Sequence, residues 1–251
     1  MNCDPIARWY EPAEHLSFRK TLEERRFAYV NRLKESRRAL ICGGGDGRFL
    51  AELLLANPFV EVTYIDLSKE MLRIAERRTA RLGRNYRKRV QFFCGDVMTF
   101  VPPHRDYDLF ATHFFLDCLT GEDVRRLLLK MLAWARPRAK WVVSEFRYSQ
   151  SALGKLWTNA LIRGLYAAFR VTTGLRVHRI PQHSSYFHFA GFRRQDCEIA
   201  AGGLLISELW EYREGAHDPA TVPLQMVDHS PRVPSLAADC EIPSGLLIGG
   251  S

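Results

Sequence analysis

The chain has 251 residues, 47% of them apolar and 25% charged, with a formal net charge of +8. This suits one α/β domain with an appendage, able to build a normal core without covalent staples. It holds no apolar run of the roughly 18 residues a spanning helix requires, and its six scattered cysteines form no C-x-x-C pair, which argues against a zinc site and a disulfide framework.

The opening Met1-Asn2-Cys3-Asp4-Pro5 has no basic segment leading into an apolar run, so a cytoplasmic, reducing setting is expected. Residues 17–38 place Leu22, Phe27, Val30 and Leu33 at helical spacing and read as an N-terminal helical lid. A short strand, Arg38 to Cys42, runs into Gly43-Gly44-Gly45-Asp46-Gly47, and a helix from Arg48 to Ala56 stops before Pro58. A second strand, Val60 to Ile65, ends in Asp66, and Ser68 can cap a helix over 69–82. Basic residues cluster from Arg73 to Arg89, read as a solvated helix face and loop, so nucleic acid is not the expected partner. Strands follow at Val90 to Cys94, running into Gly95-Asp96, and at Tyr107 to Thr112, running into His113. Then come a helix after Thr120 and a fifth strand, Lys140 to Glu145.

This alternation predicts a parallel sheet covered on both faces, with ligands beyond the carboxyl ends of the strands. Residues 150–182 break the rhythm and read as a helical insert. Basic and aromatic residues mix over 151–170, where contact with a membrane surface is conceivable beside simple packing. Two runs, Arg194 to Ala200 and Leu204 to Tyr212, flank Gly202-Gly203 as a closing hairpin. One domain over 1–214 is expected, and 215–251, rich in Pro, Ser and Gly, reads as a poorly ordered tail.

Polar residues at strand ends are the site candidates. The glycine turn lets backbone approach a ligand closely and opens a helix with unpaired N–H groups. A dinucleotide site is the rival reading, but its G-x-G-x-x-G spacing would put glycine where Arg48 stands. Asp66 could accept both ribose hydroxyls in either case. Asp96 separates the two: its carboxylate and the Val97 N–H suit the edge of an adenine.

These residues resemble the class I, Rossmann-like S-adenosylmethionine (SAM) dependent methyltransferases. The likeness is carried by Ala39-Leu-Ile-Cys-Gly-Gly-Gly-Asp-Gly47, Val62-Thr-Tyr-Ile-Asp-Leu-Ser68 with Met71, Cys94-Gly-Asp-Val97 and Asp108-Leu-Phe-Ala-Thr-His113. It covers about 38–147 and 190–213, and Asp66-Leu-Ser-x-x-Met71 leans toward the ubiquinone and menaquinone biosynthesis type. The resemblance implies a doubly wound seven-stranded sheet with an antiparallel last strand. It implies a cofactor set of Gly43, Gly44, Gly45, Asp46, Gly47, Asp66, Leu67, Met71, Asp96, Val97 and Thr112. The turn would lie under the methionine, Asp66 on the ribose and Asp96 on the adenine. Ile41 stands where the family usually carries an acid, and Asp46 would compensate near the methionine amino group.

SAM brings its own electrophile, so the protein must mainly align an acceptor and exclude water. His113, at the fourth strand end, is the first candidate for a base or orienting group, with its pKa tunable near neutrality, and Asp117 is the second. Tyr10 and His15 are candidate substrate contacts on a lid. The expected function is methyl transfer to oxygen, carbon or nitrogen of a small molecule, with an RNA or protein methyltransferase and a non-catalytic SAM-binding partner as alternatives. No metal is expected.

Overall fold

The computed structural model describes residues 18–147 and 183–213. The expectations for Tyr10, His15, the insert proper and the tail lie outside those residues, as does the membrane contact over 151–170.

The first helix, α1 (Phe18–Phe27), leads through a 3-10 turn at Val30–Leu33 to β1 (Arg38–Cys42) and α2 (Arg48–Ala56). Then come β2 (Glu61–Asp66), α3 (Lys69–Leu82), the single turn α4 (Arg84–Arg87), β3 (Val90–Cys94) and β4 (Tyr107–His113). A 3-10 turn at Leu116–Cys118, α5 (Gly121–Leu132), β5 (Ala135–Phe146), α6 (His183–Phe189), β6 (Phe192–Ala200) and β7 (Leu205–Tyr212) complete the order. The seven strands lie in the order β3-β2-β1-β4-β5-β7-β6, and β7 runs antiparallel to both its neighbours. This is a doubly wound, Rossmann-like sheet with an antiparallel strand set between its last two neighbours.

Local chemistry sets the element ends. Ser68 caps α3 by accepting the Met71 N–H at 3.3 Å, and Thr120 caps α5 through the Asp123 N–H at 3.2 Å. Helix α2 ends at buried Asn57, whose amide donates to the carbonyls of Leu33 and Ser36 (2.8 and 2.7 Å) and accepts from the N–H groups of Phe59 and Val60. One side chain thus satisfies four backbone groups where the 3-10 turn, α2 and the entry to β2 meet.

Alternate residues of each strand feed two cores. On one face Ile41, Val62, Leu109 and Val142 pack against Leu50, Leu53 and Leu54 of α2 and Leu72 of α3. On the other, Phe110, Trp141 and Trp210 pack against α5 and Phe187 of α6, with Phe187 centroids 4.8 Å from Trp141 and 5.0 Å from Trp210. Phe187 is fully buried. Strand β5 is longer than its periodicity indicates. Its exposed start, including Pro137, pairs with Tyr107 through Ala135 across an irregularity. The chain leaves β1 toward β2 on one side and returns to β4 on the other. The carboxyl ends of β1 and β4 therefore flank a topological switch point, where α/β sheets hold ligands.

Candidate active site

The glycine turn after β1 is held from below and beside. Gly45 donates its N–H to Asp66 Oδ2 at 2.9 Å, and Tyr64 donates its hydroxyl to the Gly45 carbonyl at 2.9 Å. Three glycines of the turn are demanded by neighbours. A Cβ at Gly43 would strike the Phe115 ring, one at Gly44 the Tyr64 ring, and one at Gly47 the Cβ of Ala75. Gly45 differs: its φ of 62° suits glycine, and a Cβ there would meet nothing within 4 Å. Gly95, at the end of β3, faces open space in the same way. Of the expected cradle, then, Gly45 borders room for a ligand, while Gly43, Gly44 and Gly47 let the protein pack against its own turn.

Asp66 sits between the turn and α3. Its Oδ1 accepts the Ser68 N–H at 2.9 Å, and burial raises its pKa against the pull of those backbone N–H groups. Each carboxylate oxygen has a second lone pair, so acceptor capacity remains. Leu67 follows it, half-buried, and Met71 is buried on the first turn of α3. Asp96 is exposed and shapes the turn after β3 by accepting the Met98 N–H at 2.8 Å, which buries Val97 beside it.

Two expected cofactor contacts are engaged elsewhere. Asp46 is buried and its Oδ2 accepts from Arg48 Nε (2.6 Å) and Arg78 Nη2 (3.0 Å), while Arg48 also meets Glu23 of α1. The side chain therefore ties the turn to α2 and α3, which counts against a seat beside the methionine amino group. Thr112 is turned into the core, where its hydroxyl accepts from Trp141 Nε1 at 3.0 Å.

His113 does end β4 at the crevice, but its surroundings make it a poor base. Its Nδ1 lies 2.9 Å from Ser144 Oγ, and Ser144 donates to the Arg25 carbonyl at 2.9 Å. With that hydroxyl proton directed at the carbonyl, His113 is the donor and its lone pair is on Nε2. Nε2 is inaccessible to solvent and has no hydrogen-bond partner among the described residues, and the ring packs on Phe49 at a centroid distance of 4.3 Å. Burial, reinforced by the positive charge of Arg26, pushes the imidazole pKa down to about 3. A ring tuned near neutrality was expected; a ring held neutral is found.

The acid pair below it is different. The chain turns sharply after β4, with Phe114 in the left-handed region at φ 54°, and this delivers Asp117 to Glu145 at the end of β5. Glu145 Oε1 accepts the N–H groups of Phe115 (3.1 Å) and Leu116 (2.8 Å), its Oε2 is buried with no hydrogen-bond partner among the described residues, and Asp117 is close enough for the two charges to act on each other. Both acids are buried. Burial pushes Asp117 up to about 6, and burial plus the Asp117 charge raises Glu145 well above the carboxylate range. Two carboxyls in one dry site hold a shared proton more readily than two charges. Sequence reasoning named Asp117 and passed over Glu145, although a polar residue ending a strand was the available signal. Another buried acid, Glu208 on β7, is by contrast matched by His183 Nε2 (2.7 Å), Arg194 (3.2 Å) and Trp210 Nε1 (3.2 Å), and anchors α6.

A family model described as a methyltransferase domain matches residues 40–140. No curated protein matches the sequence. Among solved structures, the chain is similar to the pyocyanin biosynthetic protein PhzM (TM-score 0.55, 19% identity, covering 75% of this chain and 55% of that one). It is also similar to the mitomycin 7-O-methyltransferase MmcR (TM-score 0.59, 21% identity, 83% and 58% covered). A third is the N-methyltransferase NodS from Bradyrhizobium japonicum WM9 (TM-score 0.56, 13% identity, 80% and 99% covered). The chain thus spans little more than half the length of the first two, and at these identities the likeness is one of fold.

Proposed function

We propose that the protein is a SAM-dependent methyltransferase acting on a small-molecule acceptor. The observation that carries this reading is the open space over Gly45 at the switch point, with Asp66 beside it and Gly95 facing open space at the end of β3, all within the stretch that the methyltransferase family model matches. The names of MmcR and NodS cover oxygen and nitrogen acceptors, and either chemistry suits the acid pair. The Asp66-Leu67-Ser68-x-x-Met71 likeness keeps a quinone-like acceptor within the class.

When bound, SAM supplies a sulfonium-activated methyl group. The residues fit it: the space at Gly45 admits a ligand against backbone, the remaining lone pairs of Asp66 suit the ribose hydroxyls, and Asp96 with the Val97 N–H would meet the adenine edge. Methyl transfer to a hydroxyl or amine releases one proton. The Asp117–Glu145 pair, with Asp117 pushed up to about 6, can accept it near neutral pH more readily than an ordinary carboxylate, while His113 is held too weakly basic to do so. Sequestration of the pair from water also strengthens any hydrogen bond it makes to an acceptor.

The test is calorimetry with S-adenosylhomocysteine, followed by incubation with methyl-labelled SAM and a panel of phenols, amines and quinols. Binding together with labelled product and released S-adenosylhomocysteine supports the reading. Binding without turnover on any acceptor in a whole metabolite extract favours the non-catalytic alternative, and no binding refutes both. A second reading, RNA as substrate, draws on one observation: Lys69, Arg73, Arg77 and Arg81 form an exposed stripe along α3. Retention of RNA that falls steeply with salt would support it.

A further inference from the structure

Nine lysines and arginines lie between Lys69 and Arg89, against two acids, Glu70 and Glu76. The fold sorts these cations into two groups. Three are committed to the protein's own structure. Arg78 reaches Asp46 at 3.0 Å, Arg87 donates to Glu76 (3.1 Å) and to the Val90 carbonyl (3.0 Å), and Arg89 donates to the carbonyls of Asn57 (2.7 Å) and Leu54 (3.0 Å). The other six, Lys69, Arg73, Arg77, Arg81, Arg84 and Lys88, are exposed. Arg73 leans on Glu70 at 3.3 Å, and Glu76 is given to Arg87, so the remaining five form no ion pair among the described residues.

Lys69, Arg73, Arg77 and Arg81 recur at every fourth residue of α3. Their stems therefore follow one ridge, with about 6 Å of rise per step and about 18 Å from end to end. Arg84 and Lys88 continue the band through α4, beyond Gly83. The inward side of α3 is engaged, with Met71, Leu72, Ala75 and Thr79 buried beneath it. No apolar face of α3 is left to sink into an acyl layer, and what the helix presents outward is charge on long stems.

This band suits a plane of negative charge better than a nucleic-acid strand. Single strands are held by stacking bases on open aromatic rings, and the rings beside the band are covered. Arg89 lies over Tyr86 at 5.1 Å from the centroid and Arg87 over Phe92 at 4.9 Å, with Tyr64 on Phe92 at 5.3 Å. The major groove of an RNA duplex is too deep and narrow for a helix ridge to enter. A bilayer surface needs neither a ring nor a groove: it attracts each basic residue separately, and a cluster of about four to eight is enough.

We propose that the outer ridge of α3 and α4 docks this protein on a membrane rich in anionic phospholipid, through Lys69, Arg73, Arg77, Arg81, Arg84 and Lys88. Lys69 opens α3 directly after Ser68, close to Asp66 at the end of β2, so docking sets the carboxyl edge of the sheet near the bilayer. Lipid binding is read without cofactor or turnover, so its outcome is separate from that of the methyltransferase reading.

Flotation of the full chain with vesicles is the test. The protein should rise with vesicles of phosphatidylcholine plus phosphatidylglycerol and stay behind with phosphatidylcholine alone. It should be released as salt shortens the Debye length from about 10 Å at 0.1 M to about 3 Å at 1 M. Arg77→Gln with Arg81→Gln should lower the partition about thirtyfold, the equivalent of about 1 kcal/mol for each cation. Arg105→Gln with Arg126→Gln removes the same net charge from exposed positions elsewhere and should leave the partition nearly unchanged. Circular dichroism and urea unfolding check that each variant is folded. No flotation of the unaltered protein at low salt overturns the proposal, and that result needs no variant. Equal losses in the two double variants also overturn it, since net charge alone would then act. An undiminished partition in the first variant does so as well, by placing the contact elsewhere in the chain. RNA that displaces the vesicles, and is itself no longer retained by the first variant, makes the ridge a nucleic-acid surface and overturns the membrane assignment.

Discussion

Replacing Asp117 by Asn should change the pH dependence of stability in a direction opposite to ordinary acid denaturation. Asp117 is pushed up from 3.8 to about 6 by burial. Below about pH 4 it is protonated in the folded and the unfolded chain and contributes nothing to the slope. Between about pH 4 and 6 the unfolded chain ionises while the folded one keeps its proton, so stability falls as pH rises. A carboxyl that holds its proton roughly a hundredfold more tightly in the folded chain withdraws about 3 kcal/mol, fully lost above the folded value. His113 works the other way: held neutral by burial, with its pKa down from 6.5 to about 3, it withdraws stability as pH falls below about 6.5. The two slopes oppose each other in the same window, so the unaltered protein can look flat while both act. Asp117→Asn keeps the shape and removes one slope. Urea unfolding from pH 4 to 8 should show the variant gaining on the unaltered protein as pH rises, by on the order of 1–3 kcal/mol at pH 7. Parallel stability curves for the two proteins would show that Asp117 titrates as an ordinary surface acid and would remove the basis for the shared proton.

The same opposition makes His113→Gln a complementary probe: it should lessen the loss of stability on acidification below about pH 6.5, and the NMR signals of the His113 imidazole, assigned by their absence from that variant, should not titrate between pH 5 and 8, a midpoint near 6.5 being the contrary result. Asp66→Ala should weaken S-adenosylhomocysteine binding by about 1.5–3 kcal/mol in calorimetry, and an unchanged affinity would make Asp66 a turn brace only. Gly45→Ala and Gly47→Ala should part company. Ala at Gly47 puts a Cβ 2.7 Å from that of Ala75 at φ 79° and should destabilise by about 2 kcal/mol or more, read by urea unfolding. Ala at Gly45 enters open space, so it should cost about 1–2 kcal/mol of backbone strain while abolishing cofactor binding; retained binding would place the ligand elsewhere.

What could be read from the sequence followed chemistry that is local to a few residues. Ser68 and Thr120 announce their helices by capping, and Asn57 before Pro58 marks the stop of α2. Asp66 and Asp96 stand at strand ends, and the sheet brings such ends to one edge. The rest depends on which side chains meet across the fold. The family resemblance put Asp46 beside the cofactor because it lies in the turn, whereas Arg48 and, from a different helix, Arg78 converge on it. Thr112 and His113 are adjacent and so point to opposite faces: one meets Trp141 in the core, the other Ser144 under α1. Arg26 gave no signal, since an arginine in an amphipathic helix reads as a solvated residue until the helix is docked by Ser144 and Ser207. Glu145 did carry the mark that singled out Asp66, an acid closing a parallel strand. Its importance comes from Asp117, which reaches it only because Phe114 accepts a left-handed backbone and turns the chain back over β5. On the proposed reading, the cofactor edge is therefore a property of the strand ends. On the same reading the substrate edge is a property of one strained turn, and substitutions at Phe114 should alter acceptor chemistry before they alter adenosine binding. Phe114→Gly, which relieves the backbone and removes the ring, should lower kcat while binding of 5′-methylthioadenosine, which has no amino-acid end, stays unchanged. A loss of that binding with kcat intact would reverse the assignment of the two edges.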